Sequence, residues 1–206
     1  GKGVCVGRPV PGMEVSIIAI SDEPIAEWSD DMKLPRGEIG EFVVRGPVVT
    51  RQYFNRPEAT KLAKIRDPKT GEVLHRMGDV GYIDDTGRLW FCGRKSHRVV
   101  TRHGTLFTDM VEPIFNTVPG VARTALVGVK RDGVTYPVVF VEQDVEGLRH
   151  YLDALDLRGK TELQGGTAIW EAARSELVRT AERFAHTRDI TTFLVHVGFP
   201  VDVRHN

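Results

Sequence analysis

The chain is 206 residues long, room for one large domain or two small ones, and its 41% apolar content is that of packed structure, which excludes a disordered tail. Lysine plus arginine and aspartate plus glutamate both total 28, so the formal net charge is zero and gives no reason to expect a nucleic acid or an anionic membrane as partner. The two cysteines, Cys5 and Cys92, stand far apart without metal-ligand spacing, and no signal peptide or apolar run of about 18 residues occurs, so no metal site is expected and a reduced cytoplasm is the expected location.

Gly1-Lys2-Gly3 carries no initiator methionine, and the sequence stops at Asn206 in a polar segment, which gives the expectation of a fragment of a longer protein. Residues 1–93 read as β-rich. The β-branched runs at 14–20 and 38–45 are bounded by the turn residues Pro11-Gly12, Pro35-Arg36-Gly37 and Gly46-Pro47. Between them, residues 21–34 are polar and read as a surface excursion. Asn55-Arg56-Pro57-Glu58 opens a short helix through Ile65, with proline in the first turn, where its missing donor costs little.

The stretch His75 to Gly104 organises the rest. Val80, Tyr82, Leu89, Trp90 and Phe91 flank the turn Asp84-Asp85-Thr86-Gly87, whose side-chain acceptors and permissive glycine suit a tight hairpin. Such a hairpin holds Asp79 and Arg94 near its two free ends. A carboxylate beside a guanidinium suits a ligand that carries both vicinal hydroxyls and a phosphate.

After Arg94 the pattern alternates between helix and strand. Thr108 or Asp109 can cap a helix reaching Asn116, which Pro119-Gly120 stops. Strands at 122–129 and 134–142 are separated by a turn at Lys130-Arg131-Asp132-Gly133. Residues 144–166 read as a helix and then a loop. Ile169, Ala173, Leu177, Ala181 and Phe184 recur at helical spacing behind the N-cap candidate Thr167, and 190–196 is a final strand. The order α-β-β-α-β predicts a small α+β domain with helices on a short sheet.

Gly78-Asp79, Gly81-Tyr82, Asp84, Gly87 and Gly93-Arg94, with Gly37-Glu38-Ile39-Gly40-Glu41-Phe42, Gly46 and Tyr53 upstream and Gly104, Glu112 and Val118-Pro119-Gly120-Val121 downstream, resemble the late core motifs of the adenylate-forming superfamily. That superfamily includes acyl-CoA synthetases, fatty acyl-AMP ligases, luciferases and peptide-synthetase adenylation domains. Within it, GRKSHRVVTRHGTLF and the ending FPVDVRHN resemble the β-lactone synthetases of bacterial long-chain olefin biosynthesis, which close a 2-alkyl-3-hydroxy fatty acid to a β-lactone.

The resemblance implies an α+β protein in three parts. Residues 1–93 would be the end of the large adenylating domain, a β-barrel-like subdomain; 94–98 a hinge; 99–206 a mobile α+β C-terminal domain, incomplete at its end. It implies ATP and Mg2+, bound mainly by parts outside this chain, a fatty-acyl substrate, and as partners the N-terminal remainder and other olefin-biosynthesis enzymes. The ordinary acyl-CoA or acyl-AMP ligases are the alternative, and a non-catalytic binding module on the same fold is a second.

It also implies roles. Asp79 accepts both ribose hydroxyls, where the plainer reading is a strand-end aspartate in an Asx turn. Arg94 contacts ribose or phosphate, where the plainer reading is a surface salt bridge. Phe91 lies against adenine, or is simply a core aromatic. Ser96 and His97 fall at the hinge, where many members carry aspartate or lysine, and one residue more than usual separates Arg94 from Gly104. No catalytic residue is expected here: the superfamily's lysine should lie beyond Asn206.

Overall fold

The computed structural model describes residues 1–144, 146, 147, 150 and 166–200. The chain divides into two compact units, Lys2–Arg98 and the part from Val99 onward.

The first unit is built on antiparallel pairing. Strands β1 (Val4–Gly7), β2 (Glu14–Ile18), β3 (Gly40–Arg45), β5 (Val73–Ile83) and β6 (Leu89–Arg94) run in the order β1-β6-β5-β3-β2, and β4 (Lys64–Arg66) pairs with β5 beyond the end of β6. The path has two free ends, so among the described residues the sheet is open and does not close into a barrel. Ile18, Val43, Ile65 and Leu74 gather on one side with Trp28, and Ile25 and Met32 pack against them.

Two expectations change here. Residues 21–34 are not a mere surface excursion: Trp28 is buried, and its backbone N–H donates to the Arg66 carbonyl at 2.8 Å. Burial of a large indole outweighs the polar character of its neighbours. The helix predicted through Ile65 is α1 (Pro57–Ala63), and Ile65 instead sits on β4 opposite Leu74, fully buried. A β-branched residue gains more there than at a frayed helix end.

The unit from Val99 onward opens with a hairpin of β7 (Val99–Thr101) and β8 (Gly104–Leu106), which the sequence did not suggest. Helix α2 (Thr108–Phe115) comes next, with Phe107 at its N-cap position and no side-chain cap bond; the Thr108 hydroxyl donates to Asp109 instead. Strands β9 (Val121–Arg131) and β10 (Val134–Gln143) meet at the two-residue turn Asp132-Gly133, both residues having positive φ as a tight hairpin demands. Strand β11 (Thr192–His196) adds to β10 in parallel, giving the order β11-β10-β9.

Thr167 lies within helix α3 (Gly166–Glu182) and is not its cap. Leu177 and Ala181 of this helix join Val111, Phe115, Leu126, Val139, Val141 and Phe193 in one core, in which the Phe115 and Phe193 rings meet edge to face at 5.2 Å, and Ala173 on the same helix is also buried. Phe184 lies past the helix end and is exposed, because the apolar stripe outruns the helix. The reading of 144–166 falls largely outside the described residues. The unit is α+β, with helices and a short sheet sharing one core. No helix among the described residues is long and apolar enough to cross a membrane.

Candidate functional site

The geometry around Asp79 starts from a break in sheet pairing. Glu41 pairs with Val80 and Val43 with Arg76, so Met77, Gly78 and Asp79 of β5 stand against Phe42 alone. Excess residues in one strand bend it and re-aim the side chains beyond them. Gly78 takes φ 69°, a conformation that glycine adopts without the steric cost a side chain would bring. A second irregularity lies opposite: Val80 pairs with Gly93 and Gly81 with Phe91, leaving Cys92 as the extra residue on β6. Past this bulge pairing resumes at Val80 and Gly93 and runs on to Asp79 and Arg94, which are direct register partners.

The far end of the hairpin is tied by one carboxylate. Asp84 Oδ1 accepts from the backbone N–H of Thr86 and of Arg88 and from the Thr86 hydroxyl, while Oδ2 accepts from Arg88 Nε at 2.7 Å and the Trp90 indole N–H at 2.9 Å. Those donors, the Trp90 N–H foremost, hold the Asp84 carboxyl well below the usual carboxylate range. Tyr82 and Trp90, cross-strand partners, stack with ring planes 3° apart.

Asp79 and Arg94 form a salt bridge through Oδ1 and Nη1, with the aspartate side chain 14% exposed and the arginine 58%. The carboxylate is set into the sheet; the guanidinium lies over it toward solvent. Phe91, three residues before Arg94 on the same strand, is half-buried and lies in register between Gly81 and Val4. Ser96 and His97 are exposed in the short 3-10 turn Lys95–His97 at the end of β6. The structure therefore brings Asp79 and Arg94 into contact, puts Phe91 on the same strand, and sets Ser96 and His97 just beyond it.

Behind this pair lies a polar cluster that the sequence did not single out. Glu41 of β3 is fully buried, and its Oε2 accepts from Arg76 Nη2 at 2.7 Å and Nε at 3.2 Å and from Lys95 Nζ at 3.1 Å. Arg76 completes its donors on the carbonyls of Glu23, Leu62 and Ser21, and Lys95 shares the Ser21 carbonyl. Glu41 lies within one of the sequence motifs and Arg76 just before another, yet nothing in composition marks a glutamate on a strand as buried. Its position, opposite an arginine across a bulge, is a tertiary property.

A groove of about 370 Å³ lies elsewhere, in the unit from Val99 onward, among Arg102, His103, Tyr136, His186 and Arg188. None of the residues predicted for the site lines it.

No family model matches the chain. It is 50% identical to an olefin beta-lactone synthetase of Stenotrophomonas maltophilia over its whole length and 34% of that protein. To the olefin beta-lactone synthetase of Xanthomonas campestris it is 49% identical, with the same coverage of both chains. The chain thus spans about a third of the length of these relatives. In fold it is similar to o-succinylbenzoate CoA synthetase from Bacillus subtilis, solved with an acyl-adenylate intermediate, at a TM-score of 0.65 and 21% identity, covering 95% of this chain and 32% of that one.

Proposed function

We propose that this chain, which resembles the adenylate-forming enzymes and among them the olefin β-lactone synthetases, is the C-terminal third of an ATP-dependent carboxylate-activating enzyme. The observation that carries the reading is the Asp79–Arg94 pair, a recessed carboxylate under an exposed guanidinium at the open end of a hairpin. A carboxylate with two acceptor oxygens suits vicinal ribose hydroxyls, and a guanidinium suits the adjoining phosphate. Phe91 would flank the adenine, and residues 94–98, Ser96 and His97 among them, would be the hinge between the large domain and the domain from 99 onward. ATP and Mg2+ would be held mainly by residues outside this chain, and the catalytic lysine would lie beyond Asn206.

The chemistry has two steps. A carboxylate oxygen of a 2-alkyl-3-hydroxy fatty acid attacks the α-phosphorus of ATP, and pyrophosphate leaves. The 3-hydroxyl oxygen then attacks the acyl carbonyl, the bond to AMP breaks, and the hydroxyl proton passes to a base or solvent. Nucleophile and electrophile share one molecule, which removes the cost of capturing a second reactant, and the AMP leaving group offsets ring strain. The product is a β-lactone, a precursor of an olefin, so other olefin-biosynthesis enzymes are the expected partners and the cytoplasm the expected location.

The test incubates the full-length enzyme with a 3-hydroxy fatty acid and ATP, with and without coenzyme A, and identifies the acyl product by mass and infrared carbonyl frequency. β-Lactone with AMP and pyrophosphate in the absence of thiol supports the reading. A thioester formed only with coenzyme A, and no lactone without it, would place the protein among the ordinary acyl-CoA ligases. Absence of any nucleotide turnover would favour a binding module.

A further inference from the structure

We infer that Arg123, Glu142 and His196 are positioning residues: with Phe199 they pin the chain where it leaves β11, and so aim the lysine that the proposed function puts beyond Asn206. The inference rests on that reading and goes beyond it by naming the residues of this chain that serve the lysine.

The cluster grows out of sheet register. Arg123 of β9, Glu142 of β10 and His196 of β11 are partners in one row across the three strands, the last row before the β9–β10 register shifts at Gln143. An arginine beside a glutamate on neighbouring strands accounts for the first contact: Glu142 Oε2 accepts from Arg123 Nη2 at 2.7 Å and from Nε at 3.1 Å. The chain then returns to this row instead of running on. Val197 is fully exposed at the bend, the Gly198 N–H donates to His196 Nδ1 at 3.2 Å, and the Phe199 N–H donates to Glu142 Oε2 at 3.0 Å. Arg123 Nη2 also donates to the Phe199 carbonyl at 3.3 Å. The Phe199 ring stacks on the His196 imidazole, with centroids 4.9 Å apart and planes at 16°, and the Arg123 guanidinium lies 5.8 Å from the centre of the same ring.

Stability alone does not require so many contacts to one residue. The Arg123 side chain is 43% exposed and that of Glu142 22%, and pairs so open to water contribute little. Together the contacts hold the N–H, the carbonyl and the ring of Phe199, which fixes both the point and the direction from which the chain departs. The Phe199 N–H foremost, and then Arg123, lower the Glu142 carboxyl from the ordinary carboxylate range, as expected of an anchor whose charge is used. Releasing Phe199 would lengthen the tether to the lysine only by the residues back to His196, and dilution by tether length is mild, roughly its −3/2 power. Direction matters more, since a misplacement of about 1 Å can cost on the order of a hundredfold in rate.

Glu142→Ala in the full-length enzyme removes the acceptor shared by Phe199 and Arg123, while Glu142→Gln keeps an oxygen for the Phe199 N–H. Hydrogen exchange at the Phe199 amide should accelerate about tenfold in Glu142→Ala and return toward wild type in Glu142→Gln. The kcat for pyrophosphate exchange should fall about three- to tenfold in Glu142→Ala and recover in Glu142→Gln, with the KM for ATP and the melting temperature nearly unchanged. Unaltered exchange at Phe199 overturns the clamp. Accelerated exchange with an unchanged kcat, in an enzyme whose wild type is active, overturns the positioning role alone, as does a fall in kcat matched by a fall in melting temperature. A wild type without ATP-dependent activity overturns the proposed function, and the hydrogen-exchange measurement still decides the clamp.

Discussion

Asp79 and Arg94 are register partners across β5 and β6 whose side chains meet in a salt bridge, the carboxylate recessed and the guanidinium more than half exposed. A pair so exposed on one side contributes little to folding, on the order of 0–1 kcal/mol. Arg94→Ala should therefore leave the melting temperature of the full-length enzyme almost unchanged while raising its KM for ATP, an outcome read from thermal denaturation and initial rates on the same preparation. A large fall in stability would mean that the pair is structural.

The recessed partner permits a sharper comparison. Charge-assisted hydrogen bonds contribute about 1.5–3 kcal/mol, so Asp79→Ala should lower kcat/KM for ATP by about ten- to a hundredfold. With 2′-deoxy-ATP the loss should be smaller, since one hydroxyl partner is already missing. Equal losses on both nucleotides would argue against a ribose contact.

Gly81 is held small by its neighbours. A Cβ there would run into the Trp90 carbonyl oxygen and lie 2.6 Å from Phe42 Cζ. Overpacking of this kind costs about 1–3 kcal/mol, so Gly81→Ala should lower the denaturant midpoint and weaken nucleotide use together, because β5 and β6 carry the pair. Leu177→Ala, in the separate core from Val99 onward, should cost about 2–5 kcal/mol through the cavity left around a fully buried side chain. A midpoint unchanged in either variant would contradict the packing described.

Acid should loosen the hairpin through Asp84. Its folded-state carboxyl titrates below the ordinary range, so its contribution is fully present above the unfolded value of about 4 and disappears as the pH falls through the folded one. The difference in melting temperature between wild type and Asp84→Asn should be largest near neutrality and shrink below about pH 4. A difference that grows on acidification would reverse the sign and refute the assignment.

The hairpin was legible in the sequence because its signals are local: a turn rich in Asp and Gly, flanked by aromatic and β-branched residues. The paired ends came from the same pattern, as did β9, β10 and the buried stripe Ala173, Leu177 and Ala181. What escaped depended on distant partners. Trp28 is buried because Arg66 and Leu74 come to it from elsewhere in the chain, and Ile65 leaves its helix because β5 offers it an edge. Nothing local to Glu41 or Lys95 signals burial; only the fold brings Arg76 and Lys95 onto the Glu41 carboxylate.

The most direct measurement is exchange of radiolabelled pyrophosphate into ATP by the full-length enzyme, which reports acyl-adenylate formation without the second step. The account predicts exchange that depends on a 2-alkyl-3-hydroxy fatty acid and falls about ten- to a hundredfold in Asp79→Ala. No exchange with any carboxylic acid, or wild-type exchange in Asp79→Ala, would contradict it.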